Sequence, residues 1–149
     1  MQAQERELAF TRFDKNDAYT LGTIAANIIL ERGVDLAVDV ILRGHHVFRA
    51  VLNDCDQETD DWLPKKAAVA QHFGESSLLV KYRHEAAGTL FTDLDLDHTQ
   101  YRAFGGSVPL RVDGVVAGTI TLSGTGDEME HEVAIEALRK FLSLSSAIS

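Results

Sequence analysis

Apolar residues recur along this chain with two periods, and each change of period marks an element. Leu8, Ala9 and Phe13 fall on one face of a helix spanning Glu5 to Phe13. Asn16 or Asp17 then caps a second helix, in which Leu21, Ile24, Ala25, Ile28 and Ile29 repeat at helical spacing until Gly33. These two helices fill about residues 3–33. The period next drops to two: Leu36, Val38, Val40 and Leu42 alternate with their neighbours, Arg43-Gly44 turns the chain, and Val47 to Leu52 returns as a strand.

Asn53 to Asp61 is polar and acidic, hence a loop. Thr59 or Asp60 caps a helix with Pro64 in its first turn, running through Ala67, Ala68 and Ala70 to Phe73 and stopped by Gly74. Another helix starts at Ser76 or Ser77 and reaches Gly88, and Thr89 to Gln100 is irregular and rich in aspartate. Pro109 opens a strand, and Asp113-Gly114 joins Leu110–Val112 to Val115–Leu122 as a hairpin. Asp127 and Glu130 form an acidic capping box for a last helix with Ala134, Ile135, Leu138 and Leu142 on its apolar stripe. Hairpins favour an antiparallel sheet and helices on both sides of it bury both faces, so the pattern predicts an α+β domain of four to five strands. No linker divides residues 1–149, which form one domain with a core over about 36–143.

Composition narrows the partners. The chain has 149 residues, 45% of them hydrophobic, and a formal net charge of −9. An acidic surface repels phosphate backbones and anionic lipid, so neither nucleic acid nor membrane is an expected partner. Cys55 is the single cysteine; it can form no internal disulfide, and with no secretory-type apolar run at the start the expected compartment is the cytoplasm.

The chemical motifs are sparse. Gly124-Thr125-Gly126 leads from a strand into a helix, but a dinucleotide fingerprint would need its third glycine at Met129, and Asp127, Glu128 and Glu130 crowd the pyrophosphate position. Asp93, Asp95 and Asp97 begin like a calcium loop, yet His98 and Phe104 stand where glycine and glutamate are required. The six histidines show no metal-ligand spacing, and no metal is expected. His131, in an acidic helical first turn and on the face of Ile135 and Leu138, is the candidate acid, base or ligand. Lys66, one turn after Trp62, could hold an anion together with the hydroxyls of Ser76 and Ser77, while Gly105 and Gly106 mark a close backbone approach.

The ordered run Gly105-Gly106-Ser107-Val108-Pro109-Leu110, Val112-Asp113-Gly114 and Gly118-Thr119-Ile120-Thr121-Leu122-Ser123-Gly124 resembles the haem-degrading domain superfamily. That group includes extracellular haem-binding proteins and proteins of glycolate-utilisation operons. Asp61-Trp62, Lys65-Lys66, Phe73-Gly74, Ser76-Ser77 and Glu130-His131-Glu132 are similar to its small cytosolic branch, with departures at Pro64 and Glu75. The resemblance implies a three-layer α/β/α domain around a central antiparallel sheet of about five strands, and a large homo-oligomer. It also implies a site gathering Trp62, Lys66, Ser76, Ser77, Gly105, Gly106 and His131. The leading expectation is a homo-oligomer with a pocket for a small, anionic molecule. Its rivals are a structural scaffold for protein partners and a haem or tetrapyrrole binder with His131 or His72 as axial ligand.

Overall fold

The computed structural model describes residues 8–148 apart from residue 57, and side chains as far as residue 144. Its elements are β1 (Ala9–Phe10), α1 (Lys15–Arg32), β2 (Ala37–Leu42), β3 (His45–Val51), α2 (Thr59–Phe73), α3 (Ser77–Ala87), a 3-10 turn (Phe91–Asp93), β4 (Ser107–Val112), β5 (Val115–Ser123) and α4 (Asp127–Ile148). The five strands make one sheet in the order β1-β4-β5-β2-β3, antiparallel except where the short β1 runs parallel to β4. Helices α1 and α4 cover one face, α2 and α3 the other, giving the three-layer α+β sandwich.

The two faces differ in kind. Toward α1 and α4 the sheet turns Val38, Val40, Leu42, Val108, Leu110, Ile120 and Leu122, which merge with Leu21, Ala25, Ile29 and Leu138 into the main core. The opposite face buries Asp39, Ser107, Thr119, Thr121 and Ser123 under α2 and α3. Both hairpins close through two-residue turns with positive φ throughout, Arg43-Gly44 (48° and 82°) and Asp113-Gly114 (51° and 78°). These are the dihedrals that match strand twist. Each ladder then shifts register two residues beyond its turn, at Val47 in one hairpin and Ala117 in the other.

Five expectations change. The helix assigned to Glu5–Phe13 is absent over its described part: Leu8 and Phe10 are buried at alternate positions and Ala9–Phe10 pairs with Arg111 and Val112. Residues 5–7 lie outside the described residues. Phe10 and Phe13 instead stack with Phe141 at centroid distances of 4.6, 5.7 and 5.4 Å, and Asp14 rather than Asn16 or Asp17 caps α1, in a reciprocal box with Asp17. Pro64 stands in the second turn of α2, where it cannot donate to the carbonyl four residues back. Pro109 sits inside β4 rather than at its start. Leu122 N donates to Gly106 O at 2.9 Å, and alternation along the antiparallel ladder turns the Pro109 nitrogen away from β5, toward the side that two-residue β1 does not reach. Finally, Glu130 and Asp127 do not form the capping box, because both carboxylates serve tertiary contacts.

Candidate functional site

Lys66 lies on the stripe Leu63, Ala67 and Ala70 that α2 presses onto the sheet, so its position is dictated by helical period and its burial by its neighbours. It is 2% exposed. Its Nζ donates to Leu122 O (3.1 Å), Ser123 Oγ (3.2 Å) and both carboxylate oxygens of Glu130 (3.1 and 3.2 Å). Glu130, 3% exposed, also accepts from Gly124 N at 3.2 Å. Burial pushes the Lys66 ammonium below its usual range and the Glu130 carboxyl above its own, while their mutual attraction works against both shifts. The anion that Lys66 holds is thus part of the fold.

Around this pair Trp62, Phe104, the backbone of Gly124, Thr125 and Gly126, and Asp127 enclose a cavity of about 130 Å³. Trp62 meets Phe104 edge-on at 5.5 Å and carries the Arg102 guanidinium 4.6 Å from its ring centroid. Asp127 accepts from Gly105 N at 3.2 Å and from Lys81. The remaining predicted residues build the frame. A Cβ on Gly106 (φ 129°) would overlap the Leu122 carbonyl and one on Gly105 the Asp127 backbone, so both glycines serve close chain packing. Ser76 caps α3 by accepting from Leu79 N (3.1 Å). Ser77 accepts from Ser107 N (3.0 Å) and donates to Ser107 O (3.4 Å), tying α3 to β4.

His131 is elsewhere. Its ring is buried, neither nitrogen has a hydrogen-bond partner among the described residues, and burial lowers its pKa to about 4. It lines a separate cavity of about 460 Å³ with Arg32, Glu132, Ile135, Glu136 and Arg139. His72 packs edge-on against Phe73 and Tyr101. Among the described residues no three His, Cys, Asp or Glu side chains converge as a metal site.

A groove of about 560 Å³ lies between α2 and the two hairpin turns. Pro64, Ala67, Ala68 and Gln71 supply one wall, Ile41, Val112, Val115, Val116, Ala117 and Thr119 the other, and Arg43 and His46 stand at its polar end. The register shift at Val47 matters here: His46 pairs with Ile41 and Arg49 with Asp39, so two residues three apart share the α2 face. Asp39, fully buried, therefore meets His46 Nδ1 (3.3 Å) and Arg49 (3.4 Å) together. No protein hydrogen bond involves His46 Nε2 among the described residues. Arg43 spends one N–H on Phe13 O (3.2 Å).

Sequence reasoning missed Glu130, read as a helix cap, and the Asp39–His46–Arg49 cluster. Each left a signal: Asp39 breaks an apolar strand, and Glu130 precedes Val133, Ala134 and Ala137 on a buried stripe. A charge on a core-facing stripe needs a partner of opposite charge.

The elements define a small three-layer α/β/α sandwich with one apolar and one polar sheet face. Within that architecture the chain belongs to the haem-degrading, HbpS-like family, whose profile it matches over residues 13–139. It is 37% identical to a UPF0303 protein of Streptomyces coelicolor over 95% of this chain and 91% of that one. It is 34% identical to a UPF0303 protein of Paraburkholderia xenovorans over 91% and 84%. The fold is similar to the crystal structure of the Ybr137w protein (TM-score 0.86, 26% identity, covering 97% and 86%). It is also similar to a PduOC:heme complex (TM-score 0.69, 20% identity, covering 83% and 91%). No helix among the described residues is long and apolar enough to cross a membrane.

Proposed function

We propose that this protein binds a flat, amphipathic, anionic ligand of the tetrapyrrole class in the groove between α2 and the hairpin turns. The observation that carries the reading is the Asp39–His46 pair at the end of an apolar groove of about 560 Å³. A carboxylate on Nδ1 fixes ring orientation and leaves Nε2 as the basic nitrogen, the arrangement usual behind a metal-bound imidazole. Alanines, valines and Pro64 suit the face of a macrocycle, and Arg43 suits carboxylate substituents. The haem-degrading family and the haem complex of a fold neighbour support the same ligand class. Haem, if bound here, would supply a redox-active iron; His46 would offer it an oriented imidazole, Arg43 a guanidinium for its carboxylates, and the Pro64, Ala67, Val115 and Val116 side chains an apolar wall.

Self-association belongs to the same reading. Strand β3 is a sheet edge, and Val115, which lines the groove, is more than half exposed, so a second copy would close what one chain leaves open.

Titration with haemin, followed in the Soret region, tests the site. We expect one equivalent per chain, with His46→Ala weakening binding about tenfold or more and moving the band, and Arg43→Ala weakening it less. His131→Ala and His72→Ala should leave the titration unchanged. Binding that survives His46→Ala intact, or that fails in the His131 or His72 variants, would overturn this placement. Native mass spectrometry addresses assembly: a single-chain species at micromolar concentration would remove the oligomer from the proposal.

A further inference from the structure

Lys66 and Glu130 take no part in the groove. Helix α2 turns Pro64, Ala67, Ala68 and Gln71 toward the groove, and Trp62 and Lys66 toward the small cavity, on opposite flanks of its buried stripe. That cavity of about 130 Å³ has roughly the room of four or five heavy atoms. Its charges are balanced: Lys81 takes Asp127, and Lys66 takes Glu130. Nothing remains to attract a net charge. What an occupant meets is two aromatic side chains, a glycine-rich backbone, and one amine–carboxylate pair held at 3.1 Å away from water.

Such a pair has a chemistry that a solvated lysine lacks. In water a lysine amine is protonated and inert as a nucleophile. Desolvation favours the neutral amine and lowers the Lys66 equilibrium although the Glu130 carboxylate works against that shift; the carboxylate's part is to stand 3.1 Å from Nζ as the group that can take its proton. Leu122 O and Ser123 Oγ hold the nitrogen in place whichever partner carries the proton.

We propose that Lys66 is a nucleophilic amine for small uncharged aldehydes, with Glu130 as the acid and base that serves it. Glu130 takes one proton from Nζ. The Nζ lone pair forms the C–N bond while the carbonyl π pair moves to oxygen, which receives that proton from Glu130. The carboxylate then removes the second N–H proton and passes it to the hydroxyl, which leaves as water as the C=N bond forms. Ammonium and aldehyde become protonated imine and water, with the third proton still on nitrogen and no change of oxidation state.

The test uses the full-length protein, propionaldehyde and sodium cyanoborohydride, with the adducts mapped by peptide mass spectrometry. Lys15 and Lys140 are exposed and serve as internal references. At neutral pH the propyl adduct should build up at Lys66 about tenfold faster than at either reference, because neither reference is buried beside a carboxylate. Glu130→Gln should slow Lys66 about a hundredfold and leave Lys15 and Lys140 unchanged; should that variant not fold, Glu130→Asp, which withdraws the carboxylate by one methylene, should slow Lys66 by a smaller factor and likewise spare both references. An unmodified Lys66 in wild-type protein whose Lys15 and Lys140 are fully alkylated overturns the proposal by itself. Equal labelling of Lys66 with and without the Glu130 carboxylate overturns the role of Glu130. Neither result bears on the groove, which haemin titration reads separately.

Discussion

Replacing Lys66 by methionine removes the one cation that faces Glu130. The carboxylate keeps Gly124 N at 3.2 Å and loses both contacts to Nζ. Because Glu130 is 3% exposed, water cannot make good the loss, and breaking one partner of a buried pair costs about 3–5 kcal/mol. Glu130→Leu strands the ammonium in the same way and should cost a similar amount. The double variant, Lys66→Met with Glu130→Leu, removes both charges and fills the space with apolar volume. It should return to within about 1–2 kcal/mol of wild type, on either side of it. Urea denaturation at one fixed protein concentration is the assay, since self-association would make the midpoint depend on concentration. With a slope of about 2 kcal/mol per molar, each single variant should lower the midpoint by about 1.5–2.5 M while the double variant stays near the parent. Additive losses, or single losses below about 1 kcal/mol, would refute the claim that the two charges are buried against one another.

Three further outcomes follow from the structure. His131 has a folded pKa of about 4 against a reference of 6.5, so the unfolded chain binds the extra proton. Stability should therefore be fully present above pH 6.5 and fall by about 3 kcal/mol as the pH drops toward 4; the urea midpoint of wild type should fall relative to that of His131→Leu over that window, and parallel curves would contradict the burial. Gly106→Ala forces a side chain into φ 129° and against the Leu122 carbonyl; about 2 kcal/mol of strain should lower Tm by about 4–8 °C. Gly126→Ala, with open space around its Cβ, should move Tm by no more than about 2 °C in the same thermal scan.

Much of the fold was legible because its signals are local. The turns Arg43-Gly44 and Asp113-Gly114, the stops at Gly33, Gly74 and Gly88, and the α1 stripe each follow from a few neighbouring residues. Residues 8–13 misled because Leu8, Ala9 and Phe13 satisfy a helical template, whereas β1 exists only through its pairing with Arg111 and Val112. The site divides in the same way. Trp62 and Lys66 were found one helical turn apart and do share a cavity. Glu130 was assigned to its own helix end by a local rule, when a lysine 64 positions away claims it. The Asp39–His46–Arg49 cluster depends on a single unpaired residue at Val47, and no alternation rule anticipates a bulge.

The unlike faces of the sheet have a calorimetric consequence. Unfolding exposes the Val, Leu and Ile face, which raises heat capacity by about 0.45 cal/K/mol per Å² of apolar area, together with a face of serine, threonine and aspartate, whose hydration lowers it by about 0.26. A domain that buries so much hydroxyl surface under two of its helices should unfold with a heat-capacity increment below the ordinary 12–15 cal/mol/K per residue. Its free-energy curve against temperature is then shallow, and its resistance to cold should exceed that of a sandwich of equal size with oil on both sides.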